Sequence, residues 1–539
     1  MRNVAFASLA FLLSFAGLAS AQQPAATSHF DGKSWWSHVK YFADDSLEGR
    51  DTGSEGLRKA EAYAVEQLTK SDLEPAGTDG FYQPVQLNQY QVDESKSSLA
   101  LVSNGQSKQL SFVDDAYIGT RFTHASATLN APLVFIGYGL RVPEKNLDEL
   151  AGLDVKGKVV VYLNGSPSDI PTALASHYQT IAERWKFLRA AGAIGLIGVP
   201  NPSSMDIPWS RISLNHNHPS MDLADSEFNE TAGLQIGVTF NPASAEQLFA
   251  GSGHTFAEIA ALGKDRQPLP HFPLAVSLQA NAVIIATKIE SSNVVAKLTG
   301  SDPTLKNEFV VLSAHIDHIG IGAPINGDRI YNGAMDDGSG SALVLDIAAD
   351  LRAHPEKLKR SVIFLLVTGE EKGLLGSKYF ATRPTVAPKS IVADINVDMF
   401  LPIVPLKIMR IQGLADSDLG EHAATIAKSF GVKPVPDPEP LRNLFIRSDQ
   451  YNFIRHGVPS VIMDVFYEPG SPEQKLFKDW LTNRYHAPSD DVNQPVDLSA
   501  AALYEDIVRR LLIETANTAA PPQWKQDSFF RRYATAAGD

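Results

Sequence analysis

The chain contains no cysteine among its 539 residues. This absence excludes disulfide bridges, a cysteine nucleophile, zinc sites built from thiolates and lipid attachment at an N-terminal cysteine. A Gly-x-Ser-x-Gly nucleophile elbow and a His-Glu-x-x-His zinc helix are also missing. Without disulfides the protein depends on apolar cores, and its 44% hydrophobic content is sufficient to build them.

Long apolar runs are scarce as well. The strongest run extends from Val4 to Leu18, after Met1-Arg2-Asn3 and before the small residues Ala19-Ser20-Ala21. This order is typical of a secretory signal peptide. We therefore expect residues 1–21 to be removed on export to the periplasm or the external medium of a bacterium, with an uncleaved membrane anchor as the alternative. No later segment is long and apolar enough to predict a membrane span.

Excess positive charge is the third absence. The formal net charge is -14, and no long run of lysine and arginine offsets it. This balance argues against nucleic acid or an anionic membrane as a partner. The length predicts about two to four domains, while the oligomeric state stays open.

The order of patterns predicts a main unit interrupted by a second one. Helical periodicity marks residues 34–76, with a loop at 49–54, and residues 131–268 carry strand and helix patterns of their own up to a proline seam. We call residues 131–268 the insert. Its His216 and His218 have no acidic cluster beside them, so we expect a loop without metal there. The predicted parts are a signal peptide (1–21), the first part of the main unit (22–130), the insert (131–268), the rest of the main unit (269–520) and a partly ordered or extended tail (521–539).

The seam is marked by Pro268, Pro270 and Pro273, and strands and helices alternate after it. This alternation predicts an α/β fold with a mainly parallel, twisted sheet and helices on both faces. The predicted strands are 294–298, 309–313, 362–367, 391–397 and 458–463, and the predicted helices are 341–353, 374–381 and 498–514.

Acidic and imidazole groups follow three of these strands. His315 follows one strand, Glu370 and Glu371 follow the next, and Asp398 follows a third. Side chains that follow parallel strands meet at one edge of the sheet. Asp336 and Asp337 precede a predicted helix, where one of them is expected to cap the helix while the other binds. His486 lies in a loop before the last helix and is expected to close over the same edge.

The combined set predicts a metal centre. Two histidines and three carboxylates suit zinc. Asp336, Glu371 and Asp398 supply three negative charges, which two divalent cations and a bridging hydroxide would balance. Charge arithmetic thus favours two ions over one.

In these motifs the sequence resembles the co-catalytic zinc exopeptidases of the bacterial leucyl aminopeptidase family. That family also contains glutamate carboxypeptidase and glutaminyl cyclase branches and has a phosphorylase/hydrolase-like fold. Further matching motifs are Leu47-Glu48-Gly49-Arg50, Arg447-Ser448-Asp449 and Gly457-Val458-Pro459. The insert resembles a protease-associated domain, especially at residues 153–159 and 189–193.

The resemblance implies a role for each site residue. Asp336 would bridge two zinc ions, His315 and Asp398 would complete one site, and Glu371 and His486 would complete the other. Glu370 would be the general base, and Asp317 would orient His315. Asp337 matches a position where the family has an unusual peptide geometry. His318 has no role in the resemblance and is expected to pack in the core or beside the metal ligands.

The implied activity is that of an exported zinc aminopeptidase, which hydrolyses N-terminal residues from peptide substrates with water activated by two zinc ions and Glu370. Carboxypeptidase or dipeptidase action is the nearest alternative. It requires a cation for the substrate carboxylate, and Arg442, Arg447 and Arg455 are the candidates. A one-zinc glutaminyl cyclase and a non-catalytic binding protein are the remaining alternatives.

Overall fold

The computed structural model describes residues 28–205, 207–217, 219–440 and 444–536. The predicted signal peptide, residues 1–21, lies outside them. None of the described helices combines the length and the apolar character that a membrane crossing requires. The α-helices are Lys33–Phe42, Glu55–Lys70, Thr172–Gln179, Ile181–Ala190, Trp209–Ile212, Glu246–Phe249, Phe256–Lys264, Gly338–Ala353, Leu375–Thr382, Asp418–Ser429, Gln450–Arg455, Pro472–Asn483, Leu498–Asn517 and Arg531–Ala536.

The larger of two main sheets has ten strands. Its four central strands are parallel neighbours, and the strands outside them pair mostly antiparallel. In spatial order the strands are Ser220–Leu223, Tyr82–Val92, Ile284–Leu298, Ser361–Val367, Phe309–His315, Ile391–Asn396, Ser460–Phe466, Ile408–Gln412 and Lys433–Val435, with Glu74–Pro75 paired beside Ile284–Leu298.

The predicted α/β fold class is confirmed, and the sheet is more mixed than expected. The parallel centre has the short apolar strands that alternate with helices in the sequence. The antiparallel side is built from the long strands Tyr82–Val92 and Ile284–Leu298. These two strands are far apart in the chain, and their residue pattern does not reveal which strand each one joins.

Both faces of the parallel centre are buried. Val310 and Leu312 face the core that contains the helices Gly338–Ala353 and Leu498–Asn517, whereas Val311 faces a second core. Successive residues of a strand point to opposite faces, so a strand covered on both sides must be apolar throughout. This accounts for the continuous apolar runs in the sequence.

The second main sheet has eight strands and extends past the insert at both ends. The strands from 98 to 118, placed in the first part of the main unit by the prediction, belong to this sheet, and so does the strand after the proline seam. Alternation of polar and apolar residues predicts strands but not the sheet they join. In spatial order the strands are Gln106–Gln109, Ser98–Ser103, His271–Ala282, Ala127–Ile136, Val159–Leu163, Gly195–Val199, Ile236–Phe240 and Ala116–Ile118.

Two short hairpins complete the strands. One pairs Gly320–Ile325 with Asp328–Tyr331, and the other pairs Arg141–Val142 with Leu147–Asp148. The first hairpin connects the segment that carries His315 to the segment that carries Asp336.

The tail is packed onto the main unit. Trp524 and Phe530 are buried with Tyr451 and Ile454 in one apolar cluster. Part of the predicted appendage is therefore ordered, because its aromatic side chains gain a core to pack against.

Candidate metal centre

The parallel strands place three of the predicted groups at one edge of the large sheet. His315 is the last residue of the strand Phe309–His315, which lies between Ser361–Val367 and Ile391–Asn396. Glu370 and Glu371 follow the first neighbour, and Asp398 follows the second. The edge is thus supplied by three adjacent strands that run in the same direction.

Asp336 lies between two groups of possible ligands. Its Oδ1 is 3.2 Å from Nε2 of His315, which is in turn 3.7 Å from Oδ1 of Asp398. Its Oδ2 is 3.2 Å from Nε2 of His486, which is 3.4 Å from Oε2 of Glu371. All five predicted ligands are therefore together, and Asp336 offers one oxygen to each side.

These separations suit divalent cations. Ligand atoms placed tetrahedrally about zinc at roughly 2.0–2.2 Å lie about 3.4 Å from one another, close to the 3.2–3.7 Å observed here. Nε2 of His315, Oδ2 of Asp336 and Oε1 of Glu371 are also buried without a hydrogen-bond partner. Buried polar atoms left in this way are costly unless a ligand satisfies them.

The pKa shifts at the centre reflect crowded charges. Burial disfavours the charged form of Asp336, yet the nearby imidazoles of His315 and His486 hold its pKa well below the usual value. Burial also acts against ionised Glu371, but His486 and His318 lower its pKa to about 2. Asp336 and Glu371 thus favour the ionised form beside crowded imidazoles, an arrangement that a bound cation would stabilise.

Glu370 differs from its neighbour. Burial, together with the charges of Glu371 and Asp398, raises the pKa of Glu370 well above its usual value, although His315 opposes the shift. Its backbone N–H donates to Oδ1 of Asp317 at 3.1 Å. Glu370 is thus fixed at the edge of the centre as a carboxyl group that holds a proton readily.

Asp317 contacts His315 through its backbone. Nδ1 of His315 lies 3.0 Å from the carbonyl oxygen of Asp317 and 4.0 Å from its carboxylate. The carboxylate instead accepts hydrogen bonds from Thr52 at 2.9 Å and from the N–H of Glu370. The predicted orientation of His315 is therefore provided by the carbonyl group, while the Asp317 carboxylate holds Glu370.

Asp337, unlike Asp336, accepts hydrogen bonds from backbone N–H groups. Its Oδ1 accepts from the N–H of Gly340 at 2.8 Å, which caps the helix Gly338–Ala353, and from the N–H of Met399 at 3.2 Å. The N–H of His315 donates to its other oxygen at 3.3 Å. One side chain thus ties together the segments that carry three ligands. The peptide bond between Asp336 and Asp337 is cis.

His318 packs beside the candidate ligands, one of the two packing positions expected for it. Its ring is fully buried, and Nδ1 lies 2.8 Å from Oε1 of Glu371 and 4.0 Å from Oδ2 of Asp336. Its spacing of three residues from His315 was the available signal. His318 therefore contacts the second group of ligands directly.

Arg50 and Asp490 are structural supports that the residue types alone did not reveal. Arg50 is buried and donates to the carbonyls of Ile316 at 2.9 Å and Gly333 at 3.0 Å. Asp490 accepts from the N–H groups of Met335 at 3.0 Å and Asp336 at 3.1 Å. Both act on backbone groups, which every residue carries, so sequence gives no signal for the contact.

A cavity of about 130 Å³ opens beside Asp336, Glu370, Asp398 and His486. Most of its remaining wall is apolar, with two arginines among the polar groups: Met399, Leu401, Ile462, Phe466, Phe477, Leu481, Arg410 and Arg447. Arg410 is bound by both oxygens of Asp464 at 3.1 Å. The centre therefore faces a small, largely apolar space.

The other predicted candidates lie outside the group of five candidate ligands. Nδ1 of His216 lies 2.5 Å from Oε1 of Glu94, and His218 is outside the described residues. Of the three arginines considered for a substrate carboxylate, Arg447 lines the cavity. Arg455 pairs with Glu230 at 2.8 Å, and Arg442 is outside the described residues.

Comparison with known proteins points in the same direction. Residues 293–512 match the model of peptidase family M28. A probable leucine aminopeptidase 2 of Aspergillus oryzae is 35% identical over 173 residues, covering 31% of this chain and 32% of that protein. Carboxypeptidase Q of Xenopus laevis is 24% identical over 372 residues, covering 67% of this chain and 64% of that protein. The chain thus spans less than two thirds of the length of these relatives.

A solved structure has the same fold. The aminopeptidase from Aneurinibacillus sp. strain AM-1 superposes with a TM-score of 0.54 at 18% identity, covering 90% of this chain and 93% of that one. All five clustered ligands lie within the segment that matches the family model. Through residues 293–512, the chain is thus similar to peptidase family M28.

Proposed function

We propose that this protein is a zinc-dependent aminopeptidase with two ions per chain. The observation that carries the proposal is the division of five ligands into two groups that share Asp336, at separations suited to zinc. Asp336 would bridge the ions, His315 and Asp398 would complete one site, and Glu371 and His486 the other. The count of two rests on the two oxygens of Asp336, one of which faces each group.

The chemistry is peptide hydrolysis by activated water. Divalent cations bound here would lower the pKa of a water molecule and polarise the scissile carbonyl group. Glu370 accepts the proton from the attacking water and returns it to the leaving amine. Asp317 keeps Glu370 in place through its backbone N–H. No side chain needs to form a covalent bond to the substrate.

The size of the cavity supports removal of single residues. A closed space of about 150 Å³ is known to hold a benzene-sized group, and the cavity here is of similar volume, about 130 Å³. It accommodates one side chain rather than an extended peptide. Its apolar wall favours a substrate whose terminal side chain is apolar.

The free amino end is the end that we propose for the substrate. Arg410 at the cavity wall already has a carboxylate partner in Asp464, and the candidate Arg455 pairs with Glu230. The relative with the higher identity is named a leucine aminopeptidase, over a shorter segment. Arg447 at the cavity wall and the carboxypeptidase name of the longer match favour carboxypeptidase action as the second candidate.

Two further parts of the proposal concern the rest of the chain. We assign residues 1–21 as an export signal on the strength of their sequence, with the periplasm or the external medium as destination. We assign the insert as a protease-associated domain on its resemblance to such domains. Proteolytic mapping of the mature N-terminus would test the first assignment.

Dipeptides blocked at one end test the choice of substrate end. The purified, zinc-loaded protein is expected to hydrolyse C-blocked dipeptides and to leave N-blocked dipeptides intact, with activity lost on chelation and restored by zinc. Hydrolysis of N-blocked dipeptides alone would favour the carboxypeptidase. Turnover that survives complete metal removal would contradict both.

A further inference from the structure

The insert reaches the loop that carries His486 through Arg211. This arginine belongs to the short helix Trp209–Ile212. Its Nη1 donates to the carbonyl oxygen of Thr482 at 2.6 Å, and its Nη2 donates to the carbonyl oxygen of Tyr485. Tyr485 immediately precedes the candidate ligand His486. One side chain of the insert therefore binds two carbonyls of the main unit, one at a helix end and one in the loop that follows it.

The chemistry of this contact favours arginine. Carbonyl groups at the C-terminal end of a helix lack partners within the helix, and a cation there is stabilising. Thr482 lies in the last turn of the helix Pro472–Asn483. The planar guanidinium group presents several N–H donors in a fixed arrangement, so it can bind two carbonyls at once, which an ammonium group on a flexible chain does less well.

The loop needs such support because His486 has an unfavourable backbone conformation. Its φ angle is 52°, in the left-handed region that residues other than glycine and asparagine seldom adopt. Such a conformation persists only where the surroundings hold it. Asp490 fixes the loop to the turn that carries Asp336, and Arg211 fixes it from the opposite unit.

The segment that carries Arg211 is itself well anchored. Nε1 of Trp209 donates to the carbonyl of Val113 at 2.8 Å. Further along, the turn Ser213–Asn217 contacts the hairpin strand Gly320–Ile325, and Ser220–Leu223 forms the edge strand of the large sheet. The segment around Arg211 is thus anchored to the hairpin, to the large sheet and to the chain beside Val113.

We propose that Arg211 is a positioning residue for His486, so that the insert helps to build one of the two metal sites. The guanidinium group acts through the carbonyls of Thr482 and Tyr485 and touches neither metal nor substrate. The inference rests on the proposed function only in taking His486 as a metal ligand. It assigns the insert a part in assembling the centre.

Metal titration of the apoprotein tests this proposal without any substrate. Cobalt is added to the wild-type protein and to the variants Arg211→Ala, Arg211→Lys and His486→Ala, and binding is followed by the visible absorption of the bound ion. Arg189→Ala is the matched control, because Arg189 donates to a carbonyl within the insert, that of Ala232. Thermal unfolding of each apoprotein accompanies the titrations.

Arg211→Ala is expected to weaken one of the two binding steps by about 10- to 100-fold, the range for groups that orient a ligand. The step affected should be the one that His486→Ala weakens, while the other step stays unchanged. Arg211→Lys should recover part of the loss, and Arg189→Ala should match the wild type.

Unchanged binding in Arg211→Ala would overturn the proposal, and so would equal weakening of both steps together with a lower unfolding temperature. A wild-type protein that binds no second cobalt ion would overturn it as well. Because these readouts are binding constants, a protein that shows the expected pattern but cleaves no peptide would refute the proposed function and leave the role of Arg211 intact.

Discussion

Adjacent acidic residues have different tasks at this centre. In the pair Asp336 and Asp337, the first faces the two histidines and the second caps a helix. In the pair Glu370 and Glu371, the second contacts His486 and His318, while the first stays at the cavity wall. Neighbouring residues of a loop point in different directions, so a doubled acid can supply a ligand and a support from one position.

Replacing Glu370 by glutamine tests the proposed base. The amide keeps the shape of the side chain but cannot accept the proton of water, so turnover should fall by at least about 100-fold. Both zinc ions should stay bound, as measured by metal analysis of the purified variant. Glu66→Gln, at an exposed position that pairs with Lys70 at 2.6 Å, serves as the control. Retained turnover with full metal content would remove Glu370 from this role.

His318 provides a second test at this scale. Phenylalanine in its place fills similar space but removes the nitrogen that lies 2.8 Å from Glu371. Metal affinity at the site of Glu371 and His486 should fall by about 10- to 100-fold, while the His315 site keeps its affinity. Cobalt titration measures both steps, and His254→Phe, at an exposed position, is the control. Equal affinities in the variant and the wild type would restrict His318 to packing.

At the level of elements, the sequence reveals the strand ends and misses what holds them. His315, Glu371 and Asp398 could be predicted together because side chains that follow parallel strands share an edge. Asp336 and His486 come from loops; the sequence offered them as candidates, and the family resemblance implied their roles. Arg50, Asp490 and Arg211 escaped prediction because each binds backbone carbonyl or N–H groups that are far away in the chain.

The sheet assignments follow the same logic. The strands around residues 98–118 and 271–282 have recognisable alternation, but they joined the second sheet rather than the first. Pairing between distant strands depends on the whole fold, not on the local pattern. The strand Ser220–Leu223 is the clearest case, since it lies within the insert and pairs with the large sheet.

The loop that contains His486 depends on Asp490. Asp490→Ala would leave the N–H groups of Met335 and Asp336 buried without an acceptor, which costs about 1–3 kcal/mol of stability. We also expect weaker binding of both ions, because Asp336 would be common to the two proposed sites. Urea unfolding and cobalt titration measure the two effects. Asp491→Ala, one residue along the loop, should change neither stability nor cobalt affinity. Unchanged stability and affinity in Asp490→Ala would show that the loop keeps its conformation without the Asp490 side chain.

At the scale of the molecule, several connections join the insert to the main unit. They include the edge strand Ser220–Leu223, the contact of Arg211 with the His486 loop, the pair of Arg455 with Glu230, and the tail. In the tail, the hydroxyl of Tyr533 lies 2.8 Å from Nδ1 of His177 in the insert. These links make the insert part of the structure around the centre rather than an appended module.

Phe530 tests the contribution of the tail. Its side chain is 1% exposed and packs edge-on against Phe445 at 5.2 Å between ring centres. Phe530→Ala should therefore destabilise the protein by about 3–5 kcal/mol, as for other buried phenylalanines. Urea unfolding provides the measurement, with Arg531→Ala at an exposed position as the control. A loss below about 1 kcal/mol, typical of surface sites, would mean that the tail adds little to stability.

We predict that the centre needs two ions to hydrolyse the bond after a residue with a free amino group. The most direct measurement is titration of the metal-free protein with zinc while hydrolysis of a panel of aminoacyl anilides is followed. Activity should reach its plateau at two equivalents of zinc per chain, with N-acetylated anilides left intact. Full activity at one equivalent, or a fully loaded protein that hydrolyses no substrate with a free amino group, would contradict it.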